Sequence, residues 1–274
     1  AMRLMSKQKH LLLFPLLQVV VISGIAALFV LPMLSGVSLI ASDTGSASEL
    51  PIEVNSGQSI QTLLLLAAFY LVSVFVATFV NLAFFNEILS ALNGRDVSVA
   101  RGFRVATLKI RAVLGWSLLA GTIGLVIRLI QDRLGPLGQW LVGLLGISWS
   151  VASVFVLPAI IREDRQKSPW EYLRISARLI KRTWGEGVIG LAGIALVGLA
   201  VVICSMFIVT RVVFWVNSIN AAIVGVLVIA AIICLFVVAM QIFRCSLYVY
   251  ATEGVAPGEF DEAFLNRAWK TKRR

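Results

Sequence analysis

Few side chains in this sequence are equipped for chemistry, and they fall into three sets. Glu87 leads the first, an acid near the end of a long apolar run that also carries Asn81 and Asn86. A carboxylate at membrane depth is a functional group by default. One carried out to the interface serves instead as a cap or as the partner of nearby cations. The second set is small. Ser117, Gly121, Gly124 and Arg128 recur at helical spacing, and so do Gly143, Gly146, Ser150 and Ser153. Small residues let helices approach closely, and hydroxyls bond across the contact. The same faces could line a narrow passage, with Arg128 drawing anions to its outer mouth. Asp132, one turn on, is placed to pair with Arg128. The third set is cationic: Arg101, Arg104 and Arg111 on one stretch, and Arg174, Arg178, Lys181 and Arg182 on another. Beside an anionic lipid surface each such cation contributes ~1 kcal/mol.

Catalysis has little to draw on. His10 is the single histidine. The sequence holds no HExxH and no cluster of Cys, His and carboxylates with metal-ligand spacing. No apolar run contains a lysine that could serve a serine nucleophile. Cys204, Cys234 and Cys245 lie in or beside apolar runs without CxxC spacing, as buried free thiols do. The expectation is a protein that is not an enzyme, with no metal and no cofactor.

These groups sit in an apolar chain. Of its 274 residues 59% are hydrophobic and 14% are charged, against roughly 25% charged in a soluble domain. Mean hydropathy is +0.93. The expected fold is all-α: a single membrane domain, residues 1–274, forming a polytopic bundle. Six spans are expected, at about 11–34, 60–89, 112–130, 137–161, 188–210 and 221–243. Each is near or above the ~20 residues that cross a bilayer. The first is too long for the apolar core of a signal peptide, so it is read as an uncleaved span. Ala1 is read as a processing remnant. Residues 42–59, rich in Ser and Gly and acidic, make an external loop.

Three amphipathic segments complete the plan, at about 97–111, 168–184 and 258–269. Phe103, Ala106, Ile110 and Val113 form the apolar stripe of the first. Asn93-Gly94 ends the span before it. Trp170, Leu173, Ala177, Ile180 and Trp184 form the stripe of the second, which opens on Ser168-Pro169-Trp170-Glu171. That tetrapeptide matches a capping box with proline at the first helical position. Trp116 and Trp184 each follow a basic amphipathic stretch and precede a glycine-containing span, a weak internal repeat in one direction.

The net charge of +10 could suggest nucleic acid, but the cations lie between apolar runs. Only Arg128, Arg133 and Arg211 fall in segments assigned to the outer side. The others fall on one side, which by the positive-inside rule is the cytoplasm. Both termini are then cytoplasmic. No nucleic-acid partner is expected.

HLLLFPLL (10–17), FVNLAFFNEILSALNGRDVSVARGFRVA (79–106), GWSLLAGTIGLVIR (115–128), GISWSVASVFVLPAIIRED (146–164) and KRTWGEGVIG (181–190) resemble an uncharacterised family of bacterial integral membrane proteins, a domain of unknown function. The resemblance implies a bacterial inner-membrane protein and supplies no activity, ligand or catalytic residue. The architecture is loosely similar to sulfate-permease-like six-span proteins. Two functions fit the sequence. The first is a small oligomeric channel or transporter for a small solute or anion, using the small-residue faces. The second is a non-catalytic scaffold that binds anionic lipids or partner proteins through its basic helices. The expected partners are the lipid bilayer and its anionic lipids, with a homo-oligomer compatible with either function.

Overall fold

The computed structural model of the chain describes residues 13–21, 23–27, 56–163, 165–182, 186–216 and 218–254, apart from the side chains of 56–63, 132, 136, 137, 182 and 186–189. The described chain is helical throughout, joined by short turns. An apolar helix α1 (Leu13–Ala27) precedes α2 (Ser56–Leu92), α3 (Val99–Leu108), α4 (Ile110–Arg133) and α5 (Pro136–Ala152). Then come α6 (Val156–Arg162), α7 (Pro169–Arg182), α8 (Glu186–Val216) and α9 (Ile219–Glu253). Five stretches are long and apolar enough to cross a membrane: Leu64–Leu92, Ile110–Gln131, Gly138–Arg162, Gly190–Val216 and Ile219–Glu253. This is a multi-pass helical membrane protein. They correspond to the second to sixth expected spans. The first is described only as α1. The expected segment at 258–269 and loop residues 42–55 lie outside the described residues.

The turn after α2 follows from glycine. Gly94 has φ 76°, a left-handed conformation that costs a residue without Cβ little. The Gly94 N–H donates to Ala91 O and the Arg95 N–H to Ser90 O, both at 3.0 Å, closing the last turn of α2 as a Schellman motif does. Helix α3 then folds back along α2. A Cβ on Gly102 would lie 2.8 Å from the carbonyl oxygen of Ala83 and 3.1 Å from Glu87 Cγ. Only glycine permits this approach. Ala106, one turn on, is fully buried. Lys109 (φ −99°, ψ 15°) separates α3 from α4 and marks the bend between the short amphipathic helix and the long apolar one.

The fourth expected span is not one helix. Its chain breaks at Ser153, Val154 and Phe155, between α5 and α6. Pro158 is the physical reason. It lacks an N–H, and its ring collides with the carbonyl four residues earlier, here Val154. The break leaves the Phe155 N–H without a partner in its own helix. Ser176 Oγ, from α7, accepts that N–H at 3.0 Å, with both groups buried.

Helices α8 and α9 form an antiparallel hairpin built on glycine. A Cβ on Gly190 would meet Phe243 Cζ at 2.7 Å, and one on Gly198 would meet Phe236 Cδ1 at 2.9 Å. Gly225 in turn receives Val209. Large side chains of each helix therefore seat on glycines of the other, at one constant register. α9 packs in addition on α2 and α7.

Burial is concentrated at one end of the bundle. Leu82, Phe84, Phe85, Ile88, Val113, Phe155, Ile160, Tyr172, Ile242 and Tyr248 belong to one core there. Phe14 of α1 enters it, its ring stacked on Phe84 at 5.1 Å. Polar contacts gather the same elements. Lys109 Nζ donates to Glu163 O at 2.5 Å, and Arg162 pairs with Glu253 at 2.8 Å. Toward the other end, Leu64, Leu65, Leu129, Trp140, Leu145, Phe207, Phe214 and Trp215 are exposed, as lipid-facing residues are.

Three substitutions test this packing. Gly102→Ala is expected to destabilise the protein by about 1–3 kcal/mol through overpacking, whereas Gly143→Ala, with nothing within 4 Å, is expected to be neutral or slightly stabilising. Ser176→Ala is expected to cost about 1–3 kcal/mol by stranding the Phe155 N–H. Unfolding in detergent measures all three, and equal behaviour of the two glycine variants would contradict the α2–α3 contact.

Candidate functional site at the basic end of the bundle

Glu87 has no exposed surface, and its carboxylate accepts four donors. Asn86 Nδ2 donates to Oε1 at 2.9 Å, and the Ser98 N–H to Oε2 at 2.7 Å. Arg101 is bidentate, Nε to Oε1 at 3.1 Å and Nη2 to Oε2 at 2.5 Å. The same Nη2 also donates to Asp96 O at 2.6 Å. Asn81 is half-buried and is not among the donors. The carboxylate thus sits over the N-terminus of α3, where the unpaired N–H groups and the helix dipole favour an anion. Arg101, a candidate for lipid headgroups by sequence, is engaged with Glu87 and remains 39% exposed.

The second cationic helix starts as its sequence specifies. The Ser168 N–H donates to Glu171 Oε2 at 2.9 Å, and the Glu171 N–H to Ser168 Oγ at 3.3 Å. Its buried face is turned relative to the apolar stripe read from the sequence. Tyr172, Ser176, Leu179 and Ile180 are buried, while Trp170 is 54% exposed and Ala177 is exposed. Hydropathy misses Ser176 and Tyr172 because their hydroxyls have partners inside. Ser176 holds Phe155, and Tyr172 OH accepts the Lys167 N–H at 3.2 Å. Trp184 lies outside the described residues, as does the Arg182 side chain.

Arg104, Arg111, Arg174, Arg178 and Lys181 are all exposed. Among the described residues none of the five pairs with a carboxylate. α3 and α7 lie at the same end of the bundle, since a Cβ on Gly115 at the start of α4 would touch Pro169 Cγ at 3.1 Å. Lys181 stands at the edge of an apolar groove of about 660 Å³ between α5 and α7, lined by Ile147, Val151 and Ile180.

The two small-residue faces have different surroundings. On α4, Ser117 is buried and its hydroxyl donates to Leu114 O at 3.0 Å. A Cβ on Gly121 would meet Leu71 at 2.9 Å, and one on Gly124 would meet Tyr70 OH at 2.5 Å, so this face packs on α2. Arg128 is exposed, and the Asp132 side chain is not described. On α5, Gly143 has open space beside it, and Gly146 only just reaches Ile127 of α4, at 4.0 Å. Ser150 is exposed, and Ser153 Oγ donates back to Ser150 O at 3.0 Å. Contact between α4 and α5 includes Trp116 stacked on Trp149, centroids 5.8 Å apart.

A further polar pair was not singled out by sequence reasoning. Gln241 Oε1 and Arg244 Nε are buried without a hydrogen-bond partner among the described residues. Both line a groove of about 410 Å³ between α8 and α9. The sixth expected span ends at 243, which puts Gln241 inside it and Arg244 just beyond it, among the cations assigned to the cytoplasmic side. α9 instead continues to Glu253. Polar residues at positions 241 and 244, on one face of a run apolar before and after, were the available signal.

The family of unknown function DUF6159 matches residues 60–258, and the chain belongs to it. The matched region takes in α2 from Ile60 through α9. No curated protein and no solved structure matches the chain.

The Glu87 pair yields an asymmetric expectation. Arg101→Met leaves a buried carboxylate without its cation and is expected to cost on the order of 3 kcal/mol. Glu87→Gln keeps an acceptor for the Ser98 N–H and frees an arginine that can reach solvent, at about 1 kcal/mol. Unfolding of both variants in detergent measures the difference, and a larger loss for Glu87→Gln would contradict the assignment.

Proposed function

We propose that this DUF6159 member is a non-catalytic membrane scaffold of the bacterial inner membrane, whose basic helices α3 and α7 hold anionic lipid headgroups on the cytoplasmic side. The observation that carries this reading is the set of five exposed cations at one end of the bundle: Arg104 on α3, Arg111 in the first turn of α4, and Arg174, Arg178 and Lys181 on α7. Helices fixed by a buried ion pair and a capping box present their charges without further ordering on binding. Five cations at ~1 kcal/mol each provide about 5 kcal/mol of attraction to an anionic surface. The distribution of Lys and Arg along the sequence supports the cytoplasmic assignment of that end and of both termini. The apolar groove beside Lys181 gives an acyl chain a place next to a charged headgroup.

Transport of a small solute or anion is the competing reading. Its support is the α5 face, where Gly143 has open space and Ser150 is exposed, so that a second copy of the chain could complete a passage.

Replacing Arg174, Arg178 and Lys181 together by Gln is expected to lower the fraction of anionic lipid retained by the detergent-purified protein several-fold, with zwitterionic lipid unchanged. Lipid analysis of wild type and variant measures it, and unchanged retention overturns the scaffold reading. Flux assays on reconstituted wild type supply the contrary result. Anion movement that Arg128→Ala slows would establish transport instead.

A further inference from the structure

The hairpin of α8 and α9 holds a feature that the basic platform does not use. Its groove is apolar for most of its length, between Gly198 and Val202 on α8 and Ile233 and Val237 on α9, and ends on Gln241 and Arg244. Leu199, Ile233 and Val237 are well exposed, so the groove opens to the outside of the bundle. Along α9, Ile233 to Arg244 spans about 16 Å at the helical rise. Half of a ~30 Å hydrocarbon core is about the same length, the depth of one leaflet.

The position of Arg244 fixes which end of the groove is polar. It lies about 37 Å along α9 from Ile219, beyond the ~30 Å core, and so at headgroup level if α9 begins at the opposite surface. α9 ends beside α6, through the Arg162–Glu253 pair. The polar end of the groove therefore shares its leaflet with α3 and α7.

The chemistry is equally directional. Among the described residues no carboxylate pairs with Arg244, and its Nε is buried with no acceptor. Arginine presents a planar fork of donors suited to a phosphate. Gln241 Oε1, buried three residues before it, has no donor among the described residues. An amide oxygen there asks for a hydroxyl or ammonium on the same ligand. An unbalanced cation favours a ligand with net negative charge. Gly198 receives Phe236, which holds the two helices together beneath the groove.

We propose that the α8–α9 groove is a binding site for a single anionic phospholipid with a hydroxyl-bearing headgroup. One acyl chain lies along the groove, the phosphate accepts from Arg244, and a headgroup hydroxyl donates to Gln241. The site depends on the membrane embedding of the hairpin and not on the α3–α7 platform.

Native mass spectrometry of the full chain in detergent tests this with added phosphatidylglycerol, phosphatidylcholine and glycerol phosphate as probes. One phosphatidylglycerol is expected to bind with at least tenfold preference over phosphatidylcholine, and glycerol phosphate is expected not to bind. Arg244→Gln should weaken that lipid at least tenfold, with Arg244→Lys intermediate. Ala195→Phe, at an exposed position of the groove wall, should weaken it while leaving the fold intact, so a folding defect in the arginine variant does not shield the proposal. The Arg174, Arg178 and Lys181 triple variant should retain this lipid, which separates the groove from the platform. Equal binding of phosphatidylcholine, equal binding of glycerol phosphate, or full retention of phosphatidylglycerol in both groove variants would overturn the proposal.

Discussion

A carboxylate with no exposed surface needs its lone pairs met by donors, and Glu87 has three of its four met from beyond its own helix. The Ser98 N–H and both nitrogens of the Arg101 fork come from the turn and helix that follow α2. This contact decides where α3 lies. Once Ser98 and Arg101 are held, Gly102 is pressed on the Ala83 carbonyl, and α3 cannot move away from α2. The bend at Lys109 then aims α4 back across the bilayer, and its amine joins the end of α6 through Glu163 O. The charges on α3 owe their fixed position to a group buried beneath them.

Much of the architecture was legible because helices carry their own signals. Apolar runs gave five spans, Asn93-Gly94 gave the end of α2, and Ser168 to Glu171 gave the start of α7 to the residue. All of these depend on residues close in sequence. What was not legible depends on partners far apart. Ser117, Gly121 and Gly124 share a helical face by spacing alone, but spacing does not say that α2 fills it. The exposed side of α7 could be read from its cations, whereas its buried side required knowing that Ser176 Oγ meets the Phe155 N–H and Tyr172 OH the Lys167 N–H.

Pro158 illustrates the same division. Its effect on the backbone of Val154 is local and follows from the ring. A proline near the end of an apolar run nevertheless reads as a terminus in sequence. It became a break because α6 continues beyond it into the core, where Val156, Ala159 and Ile160 are buried. The α8–α9 hairpin shows the opposite case. Gly190, Gly198 and Gly225 look unremarkable in a membrane helix, and their meaning appears only when Phe243, Phe236 and Val209 are seen seated on them.

The break between α5 and α6 has a consequence in time. The hydrogen bond that closes it comes from Ser176, twenty-one residues later in the chain. A polypeptide made from its N-terminus has Phe155 in place before Ser176 has been synthesised. Until then the exposed N–H must be met by water or by lipid headgroups, because hydrocarbon offers no acceptor. This half of the α4–α5 hairpin therefore reaches its final shape only after α7 has emerged and docked. In a chain that folds as it is made, the hydrogen bond that closes this bend is one of those that must wait for α7.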